Sequence, residues 1–194
     1  MAEVSWVIPA NEYQRSRWKN GLGWTREIAR VPKGEHWDWR LSIAEIERDS
    51  EFSMFPGIDR ELVLIRGHGL RLKFADGEVS ELPPPHGRFR FAGERAVIGE
   101  LVDGATHDFN LMWRRGVIET ELLHRPLVGP MLFFVEPRIH WAIHLLSGQA
   151  EFDADSGLPP LWAGDTALLI GDARRRRYAL EGGGELLAIR IRQL

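Results

Sequence analysis

Short apolar runs cut by Gly, Pro and Asp set the rhythm of this chain, and none of them carries a sustained helical period. Trp6-Val7-Ile8 reads as a short strand ended by Pro9, and the polar residues 10–17 predict a turn or short helix. Residues Trp39–Ile46 alternate as a half-buried strand does. The nearly continuous run Glu61–Ile65 and the segment Leu70–Phe74 flank Gly67-His68-Gly69, which predicts a β-hairpin with glycines in its turn. Asp76-Gly77 marks a further turn, and Pro83-Pro84-Pro85 cannot sit inside a sheet. Phe89–Phe91 leads to a strand near Ala96–Leu101, and Asp103-Gly104 turns into Asp108–Arg114.

The last third repeats the scheme. Ile139–Ser147, ended by Gly148, parallels the run before Gly67 at an offset of 81 residues. Gly164-Asp165 precedes Thr166–Ile170, and Gly182-Gly183-Gly184 predicts a turn into a closing strand, Glu185–Arg192. Short strands between turn residues argue an all-β sandwich or barrel, and two similar halves argue a duplicated barrel. The changeover falls near residues 117–121, without linker composition, so 1–194 is expected to pack as a single unit.

Composition alters this picture little. A chain of 194 residues is long enough to bury roughly 70% of its unfolded surface as one domain. With no cysteine, disulfides, thiolate metal sites and a Cys nucleophile are excluded. The N-terminus lacks a signal-peptide pattern and no segment approaches the roughly 20 apolar residues that span a bilayer, so a cytoplasmic protein without membrane partners is expected. A net charge of −3 gives no general attraction for nucleic acid, and Arg174–Arg177 is read as a solvated turn. The cations are 22 Arg against three Lys, which favours planar, forked recognition of carboxylates but weighs little by itself.

The densest chemistry lies in WKNGLGWTREIA, residues 18–29. Asn20-Gly21 and Gly23 allow a tight turn, after which Trp24, Arg26 and Ile28 fall on one strand face, with Thr25, Glu27 and Ala29 on the other. Arg26 between apolar neighbours needs an acidic partner or an external anion. Arg60 shares a face with Leu62 and Leu64, and Asn110 and Arg114 share one with Met112. Guanidinium and amide groups on apolar walls suit a pocket for a small acid or formyl-amide compound; the alternative is a set of structural pairs, Asp59 with Arg114 or Glu27 with Arg60. A metal finds weaker support. No His-x-His occurs; His140 and His144 could share a face, with Glu151 following, but no convincing set of three ligands emerges.

Four pieces, WKNGLGWTREIA (18–29), FSMFPGIDRELVLIRGHGLRL (52–72), FRFAGERAVIGEL (89–101) and DFNLMWRRG (108–116), resemble the HutD/Ves family of small bacterial proteins, whose best-known members accompany histidine-utilisation genes. Leu22 interrupts that family's triple-glycine turn. The resemblance implies a bicupin, two stacked cupin-type barrels of the RmlC-like jelly-roll kind, at about 1–116 and 117–194. It implies a metal-independent binding protein, without cofactor, that assists or modulates amino-acid catabolism, above all of histidine, by holding a small anionic metabolite. The alternatives are a cupin isomerase or hydrolase, or an interaction module, and a homodimer is left open. Its expected ligand residues are Trp18, Lys19, Asn20, Arg26, Arg60, Phe109, Asn110 and Arg114. Arg26 and Arg60 would hold anionic groups, Asn20 and Asn110 would orient amide or formyl groups, and Trp18 or Phe109 would wall the pocket. The parity of Phe109 opposes that of Asn110, so it would need a bulge to share the site.

Overall fold

Strands account for nearly all the regular structure of residues 4–194, the part of the chain described by this computed structural model. The chain divides into two compact units, residues 14–117 and the N-terminal segment through Tyr13 with 118–194. The chain passes from the first to the second between Val117 and Ile118. The strand β1 (Trp6–Ile8), however, belongs with the C-terminal residues, because it pairs along Thr166–Leu168. The polar stretch after it forms a short 3-10 helix, Ala10–Glu12.

In the unit 14–117, alternation places one side of each strand in a shared core. Its strands are β2 (Gln14–Arg17), β3 (Gly23–Val31), β4 (Trp39–Ile46), β5 (Ser50–Glu51), β6 (Ile58–Arg66), β7 (Leu70–Phe74), β8 (Val79–Leu82), β9 (Arg88–Ala92), β10 (Val97–Leu101) and β11 (Thr106–Arg114). They form a six-stranded sheet, β2-β3-β4-β11-β6-β9, and a four-stranded sheet, β5-β10-β7-β8. Ile46, Leu62, Leu64 and Phe91 from the first sheet pack with Leu70, Leu72, Phe74, Leu82 and Val97 from the second. Here the expected hairpin at Gly67–Gly69 is corrected: β6 pairs with β9 and β11, whereas β7 pairs with β8 and β10. Two apolar runs joined by glycines read alike whether they pair or part. This turn is a corner that sends the chain from one sheet to the other, and both runs are buried because each faces the same core.

The second unit contains β1, β12 (Ile118–Val128), β13 (Met131–Val135), β14 (Ile139–Phe152), β15 (Leu161–Trp162), β16 (Thr166–Leu169) and β17 (Arg176–Gln193). They make one seven-stranded sheet with β14 and β17 at its centre. Neither Gly148 nor Gly182–Gly184 ends a strand; this is a second correction, since β14 runs through the first and β17 through the second. Gly148 pairs with Gly184 across the ladder. A Cβ on Gly148 would strike the Gly183 carbonyl oxygen, and one on Gly184 the Ser147 carbonyl oxygen, so the glycines serve close backbone approach rather than chain reversal. Phe133, Ile143, Leu145, Tyr178, Leu180 and Leu186 are among the residues buried in this unit's own core. Among the described residues no helix is long and apolar enough to cross a membrane.

Candidate functional site

The alternation of β4, β11 and β6 stacks three rungs across the six-stranded sheet, all on the face toward its own core. Met112 is flanked by Arg40 and Arg60, Asn110 by Ser42 and Leu62, and Asp108 by Ala44 and Leu64. Thr25 of β3 extends the last rung beyond Ala44. With the exception of Leu64, all these side chains line one cavity of about 510 Å³, closed by Trp18, Lys19 and Asn20 from the β2–β3 loop and by Phe52, Ser53 and Phe55. The volume suits a small metabolite. The loop is fixed locally: Leu22 N–H donates to Asn20 Oδ1 at 3.0 Å, and Trp18 Nε1 donates to Thr25 Oγ1 at 2.9 Å. At Gly23 a Cβ would lie 2.6 Å from the Glu45 carbonyl oxygen, which is why a glycine begins β3.

The cavity is cationic at the Met112 rung. Arg60 is 6% exposed, and among the described residues no carboxylate lies within ion-pair distance of it. Its Nη1 donates a long 3.3 Å bond to Ser53 O, and its buried Nε has no partner. The guanidinium instead sits over Phe91, Phe52 and Phe55 at 5.2–5.7 Å from the ring centroids. Burial, with the like charge of Arg40, pushes its pKa down to about 10. Arg40 is held by Glu27 at 2.8 Å, and Glu27 also binds Arg30. Burial would raise the Glu27 carboxyl, but the bonds and charges of Arg30 and Arg40 outweigh it and hold the group below its ordinary value. Glu27 is therefore shared between two guanidiniums, and Arg60 remains uncompensated. An anion would supply the counter-charge that this rung lacks.

At the other rung Asp108 is fully buried, and burial lifts its carboxyl to about 7 despite the Thr106 hydroxyl donating to Oδ2 at 2.7 Å. Among the described residues its Oδ1 has no partner. The Oδ1 of Asn110, between the two ends, is likewise buried and unpartnered.

Trp18, Lys19, Asn20, Arg60 and Asn110 thus meet at one cavity, whereas Arg26, Phe109 and Arg114 stand outside it. Parity excludes the first two, whereas Arg114 shares the parity of Asn110 and Met112 and is drawn away by its partners at the end of β11. Arg26 lies on the opposite face of β3 from Thr25 and pairs with Glu45 at 2.8 Å. Phe109, fully buried, follows its own parity; the β11 irregularity falls earlier, between His107 and Asp108, and does not turn it round. Arg114 is engaged by Asp38 at 3.3 Å and by Trp37 O at 3.0 Å. The structural pairs expected from sequence also change, since Asp59 binds Arg115 and Glu27 binds Arg30 and Arg40. Arg40, Ser42 and Asp108 were missed. A signal existed in each case: Arg40 and Ser42 are the polar half of an alternating strand, and Asp108 has the parity of Asn110. In the other unit, His144 is buried with Nδ1 2.9 Å from Thr166 Oγ1, and His140 Nδ1 accepts the Gly171 N–H.

Residues 10–188 match the family model described as HutD. A Pseudomonas putida protein, described as an uncharacterized 21.2 kDa protein in the hutC 3′ region, is 44% identical over 110 residues, 55% of this chain and 57% of that protein. The chain therefore spans little more than half of that relative. Among solved structures, HutD from Pseudomonas fluorescens SBW25, in a formate condition, superposes with a TM-score of 0.84 at 28% identity, covering 98% of this chain and 100% of that one. The fold alone is shared with an oxalate decarboxylase from Lactobacillus farciminis, at a TM-score of 0.68 and 9% identity over 100% of this chain and 87% of that one. The architecture is that of an all-β bicupin.

Proposed function

The chain belongs to the HutD family, and on that premise we propose that its unit 14–117 is a receptor for a small carboxylate or formyl-amino acid, acting in the cytoplasm to assist or modulate histidine catabolism. The observation that carries this reading is Arg60, a buried guanidinium with no carboxylate within ion-pair distance among the described residues, facing a cavity of metabolite size. A charge in that position is stabilised when a ligand brings the counter-charge. Arg40 adds a second cation on the same rung, and Asn110 offers an amide to an N–H or carbonyl group. Trp18, Phe52 and Phe55 supply apolar wall, while Lys19 and Asn20 sit on the loop side. The P. putida relative in the hutC 3′ region supports the catabolic setting. The P. fluorescens HutD in a formate condition is compatible with an anion of this class.

The test is a calorimetric titration with formate, urocanate and N-formyl-L-glutamate, using wild type and Arg60→Met. At least one compound should bind wild type, and the substitution, which keeps apolar volume and removes the fork, should weaken it by about 1.5–3 kcal/mol. Equal binding by a folded Arg60→Met protein would defeat the reading. Turnover of any of the three, followed by NMR, would make the receptor an enzyme.

A further inference from the structure

Asp108 is the least explained side chain of the cavity. Burying a carboxyl without satisfying both oxygens is costly, and here only Oδ2 is satisfied, by the Thr106 hydroxyl. Its surroundings do not compensate it. The flanking positions on β4 and β6 are Ala44 and Leu64, and among the described residues no cation lies within ion-pair distance. The charged groups sharing the cavity are Arg40 from β4, Arg60 from β6, Glu51 from β5, and Arg17 and Lys19 from the β2–β3 hairpin. Glu27 of β3 is held by Arg30 and Arg40, and His86 rests on the Leu64 carbonyl. The Arg40–Arg60 rung is four residues away along β11, roughly 13 Å of strand. A ligand held at that rung can extend past Asn110 toward Asp108.

We infer that Asp108 reads the uncharged end of the ligand, entering the complex as the neutral acid and donating its Oδ1 proton to a carbonyl or formyl oxygen. This rests on the reading of the cavity as an anion receptor. Burial and the ligand's own charge favour the neutral form against the Thr106 bond, and that bond fixes where the proton sits. Because Thr106 donates to Oδ2, that oxygen acts as acceptor and the proton belongs on Oδ1, which lacks a partner. An anion entering the same low-dielectric cavity then repels an ionised Asp108, so ligand and proton bind together. The proton comes from solvent and forms the Oδ1–H bond, and no bond of the ligand breaks. Near neutrality the acid is already close to half-protonated, so the coupling operates at ordinary pH.

The experiment is calorimetry with N-formyl-L-glutamate between pH 5.5 and 8.5, in two buffers of different ionisation enthalpy, on wild type and Asp108→Asn. Wild type should take up close to one proton per ligand at pH 8, with affinity falling toward tenfold per pH unit above pH 7. Asp108→Asn, whose amide can donate from the same place at every pH, should bind with a flat profile and no proton uptake. Binding by wild type that is independent of pH, or equal proton uptake by the variant, would overturn the role of Asp108 and leave the receptor reading intact. Loss of binding in a folded Asp108→Asn protein would overturn the donor role. No binding by wild type, with Arg60→Met equally inert toward formate and urocanate, would overturn both.

Discussion

Arg60 and Asp108 are opposite charges in one cavity that do not pair with each other, and each costs stability in the empty protein. For Arg60, a pKa brought down to about 10 by burial corresponds to a penalty on the order of 3 kcal/mol on the cation. Arg60→Met should therefore leave the ligand-free protein as stable as wild type or more stable, measured by urea unfolding at pH 7. A structural ion-pair partner would instead lose roughly 3–5 kcal/mol. For Asp108, the folded pKa near 7 lies above the ordinary 3.8. Between those values the native state binds more protons than the unfolded chain, so this group's contribution falls as pH rises from about 4 to 7. The span is on the order of 4 kcal/mol. Asp108→Asn should remove that slope, which unfolding curves at pH 5 and pH 8 will show as a gain at the higher pH.

The strands impose the geometry that these residues exploit. Period-two alternation sets Arg40, Ser42 and Ala44 beside Asn110 and Asp108, while Ile43 and Phe109 turn to the opposite face. In the other unit, two long strands pass so closely at Gly148 and Gly184 that neither tolerates a side chain. Gly184, with φ of 133°, should lose about 3 kcal/mol or more on replacement by Ala, because the Cβ meets backbone that cannot move aside. Gly183 has nothing within 4 Å of its Cβ position, so Gly183→Ala should stay within about 1 kcal/mol. Denaturant midpoints of the two variants will separate close approach from simple backbone flexibility.

Over the whole molecule the charges are dispersed. Net charge is −3, and the run Arg174–Arg177 is tied to its surroundings. Arg175 covers the Phe134 ring at 4.6 Å, Arg176 reaches the Tyr178 hydroxyl at 3.2 Å, and Arg177 is 3.9 Å from Asp153. A run divided in this way offers no continuous stripe for a phosphate backbone. Duplex DNA should bind no more tightly than about 100 μM at 150 mM salt, as measured by fluorescence anisotropy. Sub-micromolar binding with a steep salt slope, lost on replacing these arginines, would contradict this.

The sequence by itself determined the all-β class, most strand positions and the segments that supply much of the cavity lining. Those properties are local: alternation, turn residues and the mixture of aromatic, amide and cationic side chains can be read within a few positions. It also brought out Trp18, Lys19, Asn20, Arg60 and Asn110. What it did not decide is which strand face looks into the cavity. Parity groups Arg26 with Trp24 and Asn110 with Asp108, but only strand pairing places Thr25 rather than Arg26 beside Ala44 and the cavity. The same holds for the turn at Gly67, where the partners of β6 and β7 lie elsewhere in the chain, and for Gly184, whose constraint is the backbone of Ser147. Whether a buried charge is structural or awaits a ligand depends on what stands opposite it. For Arg26 that is Glu45, and for Arg60 it is an open cavity; both are tertiary facts, because the partner comes from another strand.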